Sequence, residues 1–253
     1  MAPPPRSCFT SGTRLNAVRS VYREGAETLQ PFTSLCSGIL CVIFPTVAAE
    51  AIPLANLSVS GFEIHRGYLD PVSQRSVLDA VREIVRQAPL LQPVTPRGQP
   101  MSVRMTAAGA FGWITDRHGY RYERRHPDGR EWPPIPEPIL AVWRALSGVD
   151  RAPECCLVNF YGEGARMGLH QDKDEASFDW PVVSISLGDD GLFRMGGVAR
   201  GDGTSSVWLK SGDVVVMAGA ARLAHHGVDR IRFGSSGLLA QGGRLNLTLR
   251  VVT

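Results

Sequence analysis

The seven residues RLNLTLR, 244–250, decide the fold. Leu245, Leu247 and Leu249 alternate with Arg244, Asn246, Thr248 and Arg250, the two-residue period of a strand with one apolar and one polar face. A half-exposed strand with its polar face in water reads the same way. Inside a barrel, however, two inward guanidiniums need anions, because a buried unpaired charge is costly. A molecule with two carboxylates would answer both, one end per arginine, through charge-assisted bidentate bonds.

Outward from that strand the chain keeps the same character. After residue 154, CCLVNFY, VVSISLG, LFRMGG, SVWLKSGDVVVMAG and RLNLTLRVV read as short strands separated by turns, the pattern of an antiparallel sandwich or barrel. Upstream, Asp70-Pro71 opens a helix whose apolar positions are Val77, Leu78, Val81, Ile84 and Val85, and Pro89 ends it. A second helix fits PEPILAVWRALSG, with Ile139, Trp143 and Leu146 on one face. Between the helices runs an aromatic and basic stretch broken by turn residues. The expected class is therefore α+β, mainly β, with the helices packed outside one β-core.

The stretch GLHQDKDE, 168–175, crowds three acids beside one imidazole. His170 and Asp172, two apart at a strand end, present both side chains to one face. A His hydrogen-bonded to a turn Asp gives that pattern too. A third ligand is available from RLAHHGV, in His225 or His226. Two His and one carboxylate on one side of a metal leave the opposite positions open, the arrangement of non-haem Fe(II) sites. A triad of that kind beside a two-arginine cradle suggests Fe(II) with 2-oxoglutarate and O2 as cosubstrates.

Composition narrows the rest. The 253 residues are 43% hydrophobic and 20% charged, with net charge +3, which permits contact with nucleic acid without demanding it. Only Lys173 and Lys210 are lysines, so 25 of the 27 basic residues are arginines. Cys8, Cys36, Cys41, Cys155 and Cys156 form neither a regular disulfide framework nor a CxxC zinc pair, and a reducing, cytoplasmic setting is expected. Residues 1–55 read as a disordered or mis-called extension. The apolar run in SLCSGILCVIFPTVAAEA follows Glu24 and Glu27, is interrupted by Pro45, and is too short to span a bilayer. No membrane association and a monomer are expected.

NFYGEGARMGLHQDKDE, VVSISLG, GDVVVMAG, RLAHHGV and RLNLTLR resemble, in order and spacing, the AlkB family of Fe(II)/2-oxoglutarate-dependent dioxygenases, its bacterial DNA-repair members most of all. The resemblance covers roughly residues 60–253, within a dioxygenase domain of 56–253. It implies a double-stranded β-helix, or jelly roll, with N-terminal helices, a nucleotide-recognition lid at about 100–133 and a β-core at about 154–253. It further implies His170, Asp172 and His226 as iron ligands, His226 because the family's ligand directly precedes the glycine. Arg244, Asn159 and Tyr161 would hold the far carboxylate of 2-oxoglutarate, and Asn246 and Arg250 the near one. Trp113, Tyr120, Tyr122, Asp174, Glu175 and Arg200 would meet the substrate. The implied reaction is oxidative dealkylation of 1-methyladenine or 3-methylcytosine in DNA, preferably single-stranded, releasing formaldehyde, succinate and CO2. The alternatives are the same chemistry on RNA or tRNA, or a metal-containing jelly roll that only binds.

Overall fold

The computed structural model describes residues 56–253. The readings made of residues 1–55 lie outside them. Two α-helices, one 3-10 turn at Gly219–Ala221 and thirteen strands follow one another along the described chain. Helix α1, Pro71–Gln87, starts as its sequence dictates, with the Asp70 carboxylate accepting from the Ser73 amide at 2.7 Å and Pro71 in the first turn. It stops because Pro89 forces Ala88 into extended backbone. Helix α2, Glu137–Leu146, buries Ile139, Val142 and Trp143, while Leu146 is only partly covered.

The strands are β1 Asn56–Val59, β2 Phe62–His65, β3 Val103–Gly109, β4 Gly112–Asp116, β5 Gly119–Glu123, β6 Cys155–Tyr161, β7 Met167–His170, β8 Val182–Gly188, β9 Asp190–Met195, β10 Ser205–Leu209, β11 Val214–Met217, β12 His226–Arg232 and β13 Arg244–Arg250. A seven-stranded sheet runs β1-β2-β11-β8-β13-β6-β3, a four-stranded sheet runs β10-β9-β12-β7, and β4-β5 form a separate hairpin. Every pairing is antiparallel, as expected for a jelly roll.

Strand β13 lies inside the large sheet, between β8 and β6. Its Leu245, Leu247 and Leu249 pack with α1 residues Val77, Leu78, Val81 and Ile84 and α2 residues Ile139 and Trp143. Each such buried side chain stabilises the fold by about 1.5–3 kcal/mol. The opposite face of the sheet, with Met105, Leu157 and Met217, meets Phe193 and Met195 of the small sheet. The site lies between these layers.

Two segments fold differently from their sequence reading. SVWLKSGDVVVMAG is not one strand but two, β10 and β11, in different sheets. The chain crosses at a corner that buried Asp213 organises: its carboxylate accepts from the Lys210 amide at 2.8 Å and the Gly67 amide at 2.7 Å, and pairs with Arg66 at 2.8 Å. The aromatic and basic stretch begins with β3, an edge strand of the large sheet, so only β4 and β5 form a sheet of their own, with Trp113, Ile114 and Tyr122 packed against the core. Among the described residues no helix is long and apolar enough to cross a membrane.

Candidate active site

Strand β7 ends at His170, β12 begins at His226, and the two pair directly in register. The ring centroids are 4.6 Å apart. Asp172, two residues past β7, completes the group: its Oδ1 is 3.7 Å from His170 Nε2 and its Oδ2 3.6 Å from His226 Nε2. Gly227 permits this approach, because a Cβ there would stand 2.6 Å from the Met167 carbonyl oxygen. Each ring's Nδ1–H donates to a backbone carbonyl, of Gly168 at 2.9 Å and Ala224 at 3.1 Å, which turns both Nε2 lone pairs toward Asp172. Three ligand atoms within 4.8 Å of one another, backed in this way, fit a divalent metal.

Charge supports the same fit. Desolvation and the neighbouring His226 hold the His170 imidazole down to about 4, so it is a neutral ligand at ordinary pH. Burial alone would raise the Asp172 carboxyl, but Arg250, and after it His226, hold it well below the usual carboxylate range. Asp172 Oδ2 is buried, 2.9 Å from Arg250 Nη2, and accepts no well-directed hydrogen bond. His225, by contrast, turns its Nδ1 to the Gly197 carbonyl at 3.2 Å and does not join the triad.

Arg250 is enclosed by acids. It pairs with Asp172 and, at 3.4 Å, with Glu175, and donates to the Tyr122 hydroxyl at 3.0 Å. Arg222, buried three residues before the histidines, completes the arrangement: it donates to the carbonyls of Asp172 at 2.7 Å and Trp180 at 2.8 Å and pairs with Glu175 at 3.2 Å. Two acids and two arginines thus balance. Gln171 Nε2 reaches the Leu223 carbonyl at 2.6 Å and ties the segment after β7 to the one before β12.

Arg244, at the other end of β13, is 1% exposed and has only neutral partners: Ser186 Oγ at 2.7 Å and the carbonyls of Asp189 at 3.3 Å and Leu209 at 3.4 Å. Its Nε is unsatisfied, and no carboxylate of the described residues lies within 4.0 Å. Gly191 makes room for the guanidinium, since a Cβ there would meet its Nε at 2.8 Å. Tyr161 sits opposite Arg244 in register, its hydroxyl pushed up to about 12 by burial and therefore a neutral donor. Asn246 donates to Ser184 at 2.7 Å, while Asn159 leaves its buried Oδ1 without a partner. A buried cation beside unpaired polar atoms fits an anionic cosubstrate.

The triad, Asn159, Tyr161, Arg244, Asn246 and Arg250 all line one cavity of about 510 Å³. Trp113, Tyr120, Asp174 and Arg200 line it as well. Trp113 and Tyr120 stack at 5.5 Å and 15°, and the indole N–H donates to Asp174 at 2.8 Å. Tyr122 and Glu175 are not brought to that wall. They are hydrogen-bonded to each other at 2.6 Å behind it, where Glu175 balances the two arginines. Two arginines of the aromatic and basic stretch are also held within the fold. Arg121 is held by Asp116 at 2.9 Å and Glu123 at 2.7 Å, and Arg125 by Glu131 at 3.0 Å. Sequence reasoning missed Arg222, Gln171, Ser184 and Ser186. Only the serines left a signal, as polar positions of period two in VVSISLG. Cys155 and Cys156 are free and buried, and burial pushes the Cys155 thiol up to about 12.

Residues 61–250 match the family model of the 2OG-Fe(II) oxygenase superfamily. The chain is 54% identical over 215 residues to an alpha-ketoglutarate-dependent dioxygenase AlkB homolog of Caulobacter vibrioides, covering 83% of this chain and 98% of that one. It is 37% identical over 207 residues to the alpha-ketoglutarate-dependent dioxygenase AlkB of Escherichia coli K12, covering 80% and 95%. The solved structure of OsALKBH1 superposes with a TM-score of 0.65 at 31% identity, over 79% of this chain and all of that one.

Proposed function

The chain belongs to the AlkB family of 2OG-Fe(II) oxygenases, and from that premise we propose that it removes alkyl groups oxidatively from nucleic-acid bases, with 1-methyladenine and 3-methylcytosine in single-stranded DNA as the preferred lesions. It is an Fe(II)- and 2-oxoglutarate-dependent dioxygenase, so the alternative of a jelly roll that only binds falls away. The observation that carries the substrate reading is the shared cavity: triad and Arg244 inside, stacked Trp113 and Tyr120 with Asp174 on its wall.

His170, Asp172 and His226 would hold the iron. Arg244 with Tyr161 and Asn159 would take the far carboxylate of 2-oxoglutarate, and Asn246 with Arg250 the near end. When bound, Fe(II), 2-oxoglutarate and O2 supply an oxidation that hydroxylates the carbon attached to the base nitrogen. The chain's own residues position and select. A flipped base would part the Trp113–Tyr120 stack and lie between aromatic faces. Asp174 would then exchange its indole donor for the exocyclic amine or the cationic ring of an N-alkylated base, favouring it over a neutral one. The buried walls of Leu157, Phe193 and Met217 keep water from the reacting carbon.

The test is mass spectrometry of oligonucleotides bearing one 3-methylcytosine, as DNA and as RNA, incubated with Fe(II), 2-oxoglutarate and ascorbate. Wild type should remove one methyl-equivalent mass, fastest from DNA, and His226→Ala should remove none. Succinate formation with every oligonucleotide unchanged would overturn the substrate reading while leaving the cofactor chemistry intact.

A further inference from the structure

Both helices cover the large sheet, and among the described residues no helix covers the small one. The register of the small sheet shows which side chains its open face carries. Leu209, Gly191 and Ile231 pair across three strands and face the core, with Leu209 buried and Ile231 packed against it. The adjacent row, Trp208, Leu192 and Arg230, therefore faces outward. One step toward the β9–β10 connection lies Arg194, opposite Ser206; one step away lies the Asp190–Arg232 pair, with exposed Lys210 just past Leu209. The connection itself, residues 196–204, carries Val198 and Arg200 to the cavity wall.

Five cations thus lie on the outer face of the small sheet and its β9–β10 connection: Arg200, Arg194, Arg230, Arg232 and Lys210. The acids among them are engaged. Asp229 pairs with Arg194 at 2.7 Å, Asp190 with Arg232 at 3.2 Å, and Asp202 accepts from the Ala199 amide at 3.0 Å. Arg200, Arg230 and Lys210 have no carboxylate of the described residues within 4.0 Å. The Arg232 guanidinium lies 4.4 Å and that of Arg230 5.8 Å from the centre of the Trp208 ring. Stacking on an indole fixes a guanidinium plane while leaving its N–H edge free, the form in which arginine meets phosphate. A surface ion-pair network accounts for Arg194 and Arg232. It does not account for the three unpaired cations.

We propose that this outer face, from Arg200 through Arg230 to Lys210, binds the phosphodiester backbone of the strand flanking the target base. The occupant is a single nucleic-acid strand, and the contacts are to phosphate, so they add affinity without sequence preference. The inference rests on the nucleic-acid reading of the cavity and extends it to a surface outside it.

The experiment is fluorescence anisotropy with single-stranded DNA of five and fifteen nucleotides carrying a central 3-methylcytosine. It compares wild type with the double variant Lys210→Gln/Arg230→Gln, in the presence of 2-oxoglutarate and Mn(II) and over a series of salt concentrations. Both side chains are exposed, and a thermal melt checks that the variant is folded. Wild type should bind the longer strand more tightly than the shorter. The variant should lose most of that gain, bind the five-nucleotide strand unchanged, and show a salt slope on the longer strand shallower by about 1.4, two contacts at about 0.7 each. Equal length gains and equal slopes in the two proteins would overturn the proposal. Should wild type demethylate no oligonucleotide at all, the nucleic-acid reading itself would fall, an outcome separate from loss of the length effect.

Discussion

Arg250 and Arg244 close the two ends of the same strand and live in opposite surroundings. Arg250 stands among Asp172, Glu175 and the Tyr122 hydroxyl, and Arg222 completes a cluster of two acids and two guanidiniums. Arg244, equally buried, has hydroxyl and carbonyl partners and no anion. Both ends cost desolvation energy, but only one recovers it from the fold. The charged end is built into the loop that carries Asp172 and Glu175. The uncompensated end is where the proposed cosubstrate carboxylate would bind.

The largest effect should follow from breaking the compensated end. Arg250→Met leaves the Asp172 carboxylate without an arginine and Glu175 with Arg222 alone, and removing one partner of a buried charge network costs on the order of 3–5 kcal/mol. Chemical denaturation should show that loss before any ligand is added. Arg244→Met should behave differently, with the ligand-free protein as stable as wild type or more so, because a buried cation without an anion has been removed. Its deficit appears with cosubstrate. In wild type with Mn(II), 2-oxoglutarate at about a hundred times its Kd should add about 2.7 kcal/mol of stability, and Arg244→Met should forfeit most of that increment at the same concentration. If the two variants destabilise the ligand-free protein equally, the contrast between the ends of the strand is wrong.

The alternation in RLNLTLR carries both ends of this contrast into the sequence, because a strand's faces are fixed by its period. The occupants of the faces are not so fixed. Asp174 and Glu175 look equivalent as neighbours, yet one reaches the cavity wall and accepts from the Trp113 indole, while the other turns inward to two arginines. Tyr120 and Tyr122 point to the same side of β5 by period, but the hairpin's position lets only Tyr122 pass behind the wall to Glu175. Arg222 reads as a lone charge in an apolar run, and only the folded loop shows that it holds the Asp172 carbonyl. His226 is separated from His225 in the sequence only by the resemblance, whose ligand directly precedes the glycine, and the β12 register sets its ring opposite His170. The split of SVWLKSGDVVVMAG was hidden because both halves are good strands, and the crossing between sheets depends on distant Arg66 and Gly67.

The smallest effect tests the compensated end through pH. The His170 imidazole is held down to about 4 in the folded protein, against an ordinary value near 6.5. Between those values the unfolded chain binds a proton that the folded chain refuses, so stability must rise with pH across the interval. The contribution is complete above about 6.5, is lost as pH falls toward about 4, and is flat below, where both states are protonated. Its size is limited because the His170 side chain is 41% exposed and its charged form keeps some hydration. Denaturant midpoints of the metal-free protein at pH 4.5 and 7 should therefore differ in favour of pH 7, and His170→Gln should reduce the difference. A variant that kept the full difference would place the titration on another group, and not on carboxylates such as Asp128, which Arg130 and His126 hold near 2 despite desolvation and whose contribution is lost only below about pH 4.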